Sequence, residues 1–248
     1  MKLAEVTWPQ VGAFSRSAVV VMPTGSLEQH GTHLPLFTDS LIVTAVAEAV
    51  EAMIPDSIIL TPTIWLGASA HHLGFAGSLT NDFSSYEGGI ISIVQSLVPH
   101  GFTKFYVLNG HGGNQDPNGI AIRTLKQNHP HLTFGHAGYF SFCEETIAEV
   151  LTGPISGMHH ACEAETSLML HLHPHLVHMD RATDDGLISE PELKGIVHTF
   201  SEMTENGVLG APTFASVEKG KIIFDAAVAG VITELSTISS GYVLLGRE

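Results

Sequence analysis

Four short apolar runs alternate along the chain with longer stretches in which apolar residues recur at helical spacing. The runs cover residues 18–22, 58–64, 105–108 and 132–137. The first is apolar at every position, as expected for a strand that is buried on both faces. Strands that alternate with helices predict a parallel sheet covered by helices. We therefore expect an α/β fold, a three-layer α/β/α sandwich with a mainly parallel central sheet.

Helices are predicted between and after these strands. Residues 41–53 are apolar nearly all round and indicate a buried helix. Ser84 and Glu87 have the spacing of a capping box that opens a helix to about residue 100, with Gly101 after its end. Three more helices are predicted. One begins with Asp116 as its N-cap and Pro117 at its first position. Another covers residues 163–172 and ends before Pro174, and the last covers residues 215–239, where glycines break it.

Two polar loops follow the first and third predicted strands. One reads PTGSLEQHGTHLPLFTDS over residues 23–40, and the other reads NGHGGN over residues 109–114. Ligands of open α/β sheets bind in the crevice beyond the carboxyl ends of the strands. Both loops are therefore expected to contribute to a site.

The composition suits one domain over residues 1–248. Hydrophobic residues make up 44% of the chain, which indicates a sizeable core. The net charge of −15 disfavours nucleic acid and membrane surfaces as partners, because both repel an acidic protein. The sequence shows no signal peptide, no uninterrupted apolar run of the roughly 18 residues that span a membrane, and no disulfide framework, since its only cysteines are Cys143 and Cys162. We expect a cytoplasmic protein that acts on a small-molecule substrate.

Histidine is unusually frequent, with 16 residues against 10 lysines and arginines, and this invites a metal hypothesis. In the first loop, Glu28, His30 and Asp39 offer the carboxylate and imidazole ligands that zinc, manganese or iron accept, and a carboxylate can bridge two ions. The alternatives are ordinary structural roles. Asp39 could cap the following helix, Glu28 could be a solvated charge and His30 a turn residue.

The second loop places His111 among glycines that leave room for a ligand or metal, Gly112 and Gly113 among them. The alternative is a plain turn between a strand and a helix, in which His111 is incidental. Phosphate binding is a weaker interpretation, because no Lys-Ser or Lys-Thr pair follows the glycines.

A third segment, HHACEAETSLML over residues 159–170, contains two glutamates at the start of a helix. Glu165 shares a helix face with Leu168 and Leu172, so it points toward the core and needs a cation or several hydrogen bonds. Glu165 is thus a better metal ligand candidate than Glu163, although the N–H groups of the helix start could satisfy it instead. For His71 and His72 the sequence leaves open whether they line the mouth of a pocket.

Together these segments resemble the creatininase (creatinine amidohydrolase) family. The likeness rests on four motifs in order, namely the two loops, the HHACEAETSLML segment and NGVLGAPTFASVEKG over residues 206–220. The resemblance implies a two-metal site and an assembly that is often hexameric.

In the roles that the resemblance implies, Glu28, Asp39 and His111 hold a first ion, while His30 and the bridging Asp39 hold a second. His160 corresponds to the family's catalytic histidine. Ser69 falls where creatininase has a serine near the site, and with Gly112 and Gly113 it is expected to contact substrate.

Three positions depart from the pattern of creatininase itself. Gly113 replaces a glutamate that binds the second metal, Gly112 replaces a tyrosine, and Ser156 replaces the tryptophan that closes over creatinine. The second ion then either takes Glu165 as its ligand or is weakly bound or absent. We do not expect hydrolysis of creatinine, and the NGHGGN form is closer to relatives that act on formamides or on a peptide precursor.

The sequence therefore predicts a metal-dependent amidohydrolase that cleaves a C–N amide bond with metal-activated water. Its substrate would be a cyclic amide, a formamide or a small peptide-like molecule. We expect two divalent ions per chain, zinc with manganese or iron as alternatives, and a homo-oligomer. His160 and Glu165 are the expected catalytic residues. The alternatives are a non-catalytic protein that binds a metal or ligand on the same fold, and a metal-dependent isomerase or lyase.

Overall fold

The computed structural model of the protein describes residues 1–186 and 196–241. Its sheet has four parallel strands in the order β2-β1-β3-β4. The strands are β1 (Val19–Thr24), β2 (Ile58–Leu60), β3 (Lys104–Asn109) and β4 (Thr133–Gly138). The helices are α1 (Trp8–Ala13), α2 (Thr38–Met53), α3 (Phe83–Leu97), α4 (Gln115–Asn128), α5 (Glu144–Val150), α6 (Glu163–Leu172), α7 (Phe200–Met203) and α8 (Val217–Gly241).

Alternate side chains of β1 enter two separate cores. Val19 and Val21 pack with apolar residues of α2, α6 and α8 on one face of the sheet. Val20 and Met22 pack with α3 and α4 on the other face. A strand with apolar side chains on both faces has to be covered by helices on both sides. The predicted α/β/α sandwich with a parallel sheet is therefore confirmed.

The register of the sheet brings the two predicted loops together. Thr24, the last residue of β1, pairs with Asn109, the last residue of β3. Because the two strands are parallel neighbours, the loops that follow them leave the same edge of the sheet side by side.

Several predicted element boundaries are wrong. The second strand ends at Leu60 rather than at residue 64, since Pro62 has no N–H to donate to a neighbouring strand. Asp82, not Ser84, caps α3 by accepting a hydrogen bond from the Ser85 N–H. Asp116 and Pro117 lie within the first turn of α4, because the chain already turns over residues 112–114.

The prediction that glycines break the last helix is also wrong. Helix α8 is continuous through Gly220 and Gly230. A Cβ at Gly220 would lie 1.9 Å from the Ser167 carbonyl oxygen, and a Cβ at Gly230 would lie 2.7 Å from the Cβ of Phe142. These glycines therefore let α8 approach its neighbours closely rather than interrupt it.

Helix α8 is also long and apolar enough to cross a membrane, with a mean hydropathy of 1.6 over an 18-residue window. Its inner face, which includes Ile223, Val231 and Leu235, is fully buried in the core that α2 and α6 share. A core helix of this kind satisfies the same criterion of length and composition.

A buried ion pair joins the start of α6 to the start of α8. The Glu163 carboxylate is 2% exposed and accepts hydrogen bonds from the N–H groups of Thr152 and Gly153 and from Lys219 Nζ, which lies 2.6 Å away. The loop that precedes α6 is thus attached to both helices through one carboxylate.

We expect Lys219→Met to lower the free energy of unfolding by about 3–5 kcal/mol, because it leaves the Glu163 charge buried without its partner. Urea denaturation measures the change. Lys221→Met is the matched control, since Lys221 pairs with Asp225 but is 61% exposed, and we expect a cost below about 1 kcal/mol for it. Equal losses in the two variants would contradict the assigned role of the buried pair.

Candidate metal centre

The site lies at the carboxyl edge of the sheet, where the loops after β1 and β3 meet the loop that precedes α6. It opens into a cavity of about 600 Å³. The cavity combines buried carboxylates and imidazoles with an apolar wall, and its lining comprises Glu28, Asp39, His71, His72, Gly110, His111, Gly112, Gly113, Phe140, Glu144, Gly157, Met158, His159, His160, Glu165, Phe200 and Leu209.

Asp39 lies between two imidazole rings. Its Oδ1 is 3.0 Å from His30 Nε2, and its Oδ2 is 3.0 Å from His111 Nδ1. Ser26 Oγ donates a hydrogen bond of 2.6 Å to Oδ2. Asp39 is the second residue of α2 and not its cap, so the alternative role as an N-cap does not hold. Each carboxylate oxygen faces a different histidine, which is the arrangement of a carboxylate that bridges two ions.

The far nitrogen of each of these rings faces a backbone carbonyl. His30 Nδ1 lies 3.1 Å from the backbone carbonyl oxygen of Glu28, and His111 Nε2 lies 3.2 Å from that of Ala68. A carbonyl can only accept a hydrogen bond, so in the neutral rings the hydrogen is on the nitrogen that faces the carbonyl. The other nitrogen of each ring then directs its lone pair toward Asp39. Metal-binding histidines are oriented in the same way. A lone pair that faces a carboxylate oxygen requires a cation between them, either a proton or a metal ion.

The surroundings of Glu28 indicate most clearly that the cation at this site is a metal ion rather than a proton. Its side chain is fully buried, and neither carboxylate oxygen accepts a hydrogen bond of normal geometry. Oε1 nevertheless lies 3.1 Å from His72 Nε2 and 3.2 Å from His111 Nδ1. Ligands bound at about 2.0–2.2 Å and at right angles are about 3 Å apart. A buried carboxylate without hydrogen bonds is costly unless a cation compensates it, so this donor set fits a divalent ion.

Opposite charges balance in the metal-free cluster. Burial lowers the pKa of His30, but the Asp39 carboxylate outweighs this effect and raises the pKa to about 9. Burial would also lower the pKa of His111, but Glu28 and Asp39 raise it well above its usual value. Burial raises the pKa values of Glu28 and Asp39, yet the neighbouring imidazoles hold both below their ordinary range.

Glu165 lies beside His30 and His160, with ligand atoms of the three residues within 4.8 Å of one another. Burial raises its pKa to about 8, against the opposing effect of His30. Its Oε2 accepts a hydrogen bond of 2.5 Å from the Ala161 N–H, just before α6. One N–H group, which belongs to the loop and not to the helix start, thus satisfies Glu165 in part. Glu163 faces Lys219 on another side of α6 and does not line the cavity.

The two asparagines of NGHGGN hold the loop in place. Asn109 Oδ1 accepts hydrogen bonds from Thr24 Oγ1 and from the His111 N–H, and its Nδ2 donates to the His111 carbonyl. Asn114 joins the Ala68 N–H to the Gly25 carbonyl through its amide. These asparagines were not predicted to have a role, although their positions at both ends of the glycine loop could have indicated one.

The three predicted substrate contacts differ in position. Gly112 lines the cavity and has open space where a Cβ would be. Gly113 also lines it, but a Cβ there would lie 2.3 Å from the Ala68 oxygen and 2.4 Å from His111 Nε2, so no side chain fits. Ser69 does not line the cavity and instead lies behind His111, with Oγ 3.4 Å from Nε2.

Three neighbours of the cluster were not predicted. His72 lies against Glu28, Gln29 contacts two histidines, and the Phe200 ring stacks on His72 with centroids 4.0 Å apart. His72 belonged to a pair whose role the sequence left open, and Gln29 lies between two predicted ligands, which could have drawn attention to it. Phe200 lies outside every motif, and no sequence signal indicated it.

The creatininase (creatinine amidohydrolase) family pattern matches residues 4–235. The mycofactocin precursor peptide peptidase of Mycobacterium ulcerans is 31% identical over 95% of this chain and 88% of that protein. The creatinine amidohydrolase of Pseudomonas putida is 27% identical over 92% of this chain and 94% of its own length.

Two solved structures of creatininase superimpose over 94% of this chain and 96% of theirs. One is a mutant of Zn–Zn type with a TM-score of 0.81, and the other is described as creatininase Mn, with a TM-score of 0.79. Both are 26% identical to this chain.

We expect zinc binding to the metal-free protein at pH 7 to release protons. With a pKa of about 9, His30 is protonated at this pH, and the ion has to displace that proton. Zinc affinity should therefore rise as the pH increases toward 9. Calorimetric titration in buffers of different ionisation enthalpy measures the released protons. An observed heat that does not depend on the buffer would contradict the charge state assigned to His30.

Proposed function

The chain belongs to the creatininase family, and we propose that it is a metal-dependent hydrolase that cleaves a C–N amide bond in a peptide-like substrate. The observation that carries the proposal is the buried Glu28 carboxylate, which has no aligned hydrogen bond and lies 3.2 Å from His111 Nδ1, a distance typical of two ligands around one ion. Such a charge has no structural benefit without a bound cation.

The donor set supports two ions that share Asp39. Glu28, Asp39 and His111 would hold one ion, and His30 and Asp39 would hold the other together with Glu165. Glu165 would replace the ligand that a glutamate supplies in creatininase itself, because Gly113 leaves no space for a side chain. Zinc and manganese are the proposed metals, since solved structures of relatives are of a Zn–Zn and a Mn form.

The ions, when bound, polarise the amide carbonyl and lower the pKa of a coordinated water from about 15.7 toward 7. Water adds to the carbonyl carbon, the C–N bond breaks, and the leaving nitrogen takes up a proton. His160 lines the cavity with its ring 11% exposed, and its Nδ1 lies 3.6 Å from Glu28 Oε1. Burial lowers its pKa well below the usual value, so the ring is neutral at pH 7 and can accept a proton and pass it to the leaving nitrogen.

A peptide-like substrate suits the cavity better than creatinine does. The cavity volume of about 600 Å³ lies within the range of about 300–1,000 Å³ that is usual for ligand sites. Phe140, Met158, Phe200 and Leu209 give the cavity an apolar part of its lining. The tyrosine and the tryptophan of creatininase are absent here. The greater identity to a peptide peptidase than to a creatinine amidohydrolase supports the same choice.

A homo-oligomer is the proposed assembly. Trp65, Leu79 and Phe83 are large apolar side chains that are 43%, 47% and 60% exposed, and exposed apolar groups of this size are typical of protein interfaces. Light scattering on the eluting protein would give its mass, and a monomer at micromolar concentration would contradict this assembly.

We expect Asp39→Asn and His160→Ala to separate metal binding from catalysis. Asp39→Asn removes the shared ligand and should lower both the metal content and the hydrolysis of N-formyl and short peptide amides. His160→Ala should keep the metal and lower kcat by about 10²–10⁴-fold, because it removes only the proton transfer. Elemental analysis and product detection by mass spectrometry measure the two effects.

Asp180→Asn and His175→Ala are the matched controls, because both side chains are exposed and their substitution should change neither quantity. Chelated protein should lose hydrolysis and regain it with zinc or manganese. If Asp39→Asn bound metal like the unmodified protein, the assignment of the ligands would be wrong. If the metal-loaded protein cleaved no amide of the panel, the proposed hydrolase function would fail.

A further inference from the structure

The side chain of Gln29 lies between the ligand candidates Glu28 and His30 in sequence and is 4% exposed. Its Oε1 accepts a hydrogen bond of 2.9 Å from the Gly31 N–H, and its Nε2 donates one of 3.0 Å to the Gly207 carbonyl. One end of the amide faces a backbone donor and the other a backbone acceptor. The orientation of the amide is therefore determined by its surroundings, and Nε2 has one further hydrogen to donate.

That hydrogen has two ring nitrogens within reach, because His160 Nε2 lies 3.0 Å from Gln29 Nε2 as well. His160 Nε2 is closer to the Gln29 carbonyl oxygen, at 2.8 Å, to which it can donate, so the hydrogen is assigned to His72. Gln29 Nε2 lies 2.9 Å from His72 Nδ1, and because the amide nitrogen can only donate, Nδ1 has to accept. A neutral imidazole that accepts at Nδ1 carries its hydrogen on Nε2. In His72 this is the nitrogen 3.1 Å from Glu28 Oε1. His72 thus presents an N–H group, not a lone pair, to the Glu28 carboxylate.

The backbone carbonyl of Gln29 accepts a hydrogen bond from His160, whereas its side-chain amide donates one to His72. His160 Nε2 lies 2.8 Å from the Gln29 carbonyl oxygen, which can only accept a hydrogen bond. The hydrogen of the neutral ring is therefore on Nε2, and Nδ1 keeps its lone pair. This lone pair lies on the side of Glu28, with Nδ1 3.6 Å from Oε1. The His72 and His160 rings are neighbours, with centroids 4.4 Å apart.

We propose that Gln29 is a positioning residue that orients two adjacent histidines differently toward the metal centre. His72 directs its Nε2–H group to the centre, and His160 directs the lone pair of its Nδ1. The edge of His72 that faces Glu28 then carries a hydrogen, so His72 is not itself a ligand through Nε2. His160 offers Nδ1 to the proton that moves to the leaving nitrogen, a consequence that rests on the proposed hydrolase function. Both rings have the same tautomer, with the hydrogen on Nε2, and differ only in which nitrogen faces the site.

Gly207 makes this arrangement possible. Its φ of +86° is favourable only for glycine, and a Cβ there would lie 1.9 Å from Gln29 Oε1. The glycine of the NGVLGAP segment thus leaves space for the Gln29 amide and supplies the carbonyl that fixes its orientation. Gly207→Ala is therefore a way to displace Gln29 without changing it.

The tautomers can be observed directly in the full-length zinc-loaded protein by ¹⁵N nuclear magnetic resonance of labelled histidine side chains. Substitution of His72 or His160 assigns the two sets of signals. We expect both rings to be neutral with the hydrogen on Nε2. In Gln29→Met, His72 should lose this single form and show a mixture of tautomers, and Gly207→Ala should have the same effect on His72.

The kinetic consequence is a loss of kcat of about 10–100-fold in Gln29→Met, as is usual for residues that orient those in direct contact with a metal. Metal content and KM should change less than about twofold, because no ligand and no substrate contact is removed. Gln95→Met is the matched control, since Gln95 is exposed on α3 and its substitution should leave the tautomers and kcat unchanged.

Hydrogen on His72 Nδ1 in the unmodified protein would overturn the proposal, even if neither variant folds. An unchanged His72 spectrum in a folded Gln29→Met protein would overturn it as well. If the tautomers are as expected and respond to Gln29→Met but no amide substrate is cleaved, the positioning role stands and the proposed hydrolase function is what fails.

Discussion

The site depends on two carboxylates that are buried away from water. Glu28 and Asp39 are almost completely inaccessible, and a buried charge is tolerated only when hydrogen bonds or cations compensate it. Asp39 receives one hydroxyl hydrogen bond and two imidazoles, while Glu28 receives imidazole nitrogens without aligned hydrogens. The surrounding protein supplies carbonyl acceptors toward the outer sides of His30 and His111 and leaves their inner sides for an ion.

The fold provides the rigidity that this arrangement requires. Parallel pairing of β1 and β3 brings two loops to one edge, and the register aligns Thr24 with Asn109. Asn109 and Asn114 then convert a glycine-rich loop, which alone would have many conformations, into one with defined hydrogen bonds. The buried Glu163–Lys219 pair attaches the loop that carries His160 to α6 and α8. Ligands that are distant in sequence are thus held by hydrogen bonds as well as by packing.

Two of the differences from creatininase that the resemblance implies fall on the adjacent glycines Gly112 and Gly113. Gly113 excludes any side chain, whereas Gly112 leaves open space that is continuous with the cavity. The carboxylate nearest to the second histidine is then Glu165 on α6. This member of the family thus combines buried carboxylates and imidazoles with a partly apolar cavity.

Much of this could be predicted from the sequence, because the relevant physics is local. Apolar periodicity indicated the parallel sheet between helices, and the helical spacing around Glu165 distinguished it from Glu163, which pairs with Lys219 instead. Residue chemistry made Glu28, His30, Asp39 and His111 candidate ligands, and the resemblance to the creatininase family assigned them to one set. The structure brings these four side chains together.

Tertiary structure decided what local spacing does not encode. His72 and Phe200 meet over the site although 128 residues separate them, and the role of Gln29 depends on a carbonyl of Gly207, far along the chain. The glycines of α8 reflect close packing against α5, α6 and their neighbours, which a helix considered in isolation cannot reveal. The types of ligand are a property of the residues themselves, whereas the direction in which each histidine points depends on partners that only the folded chain brings within hydrogen-bonding distance.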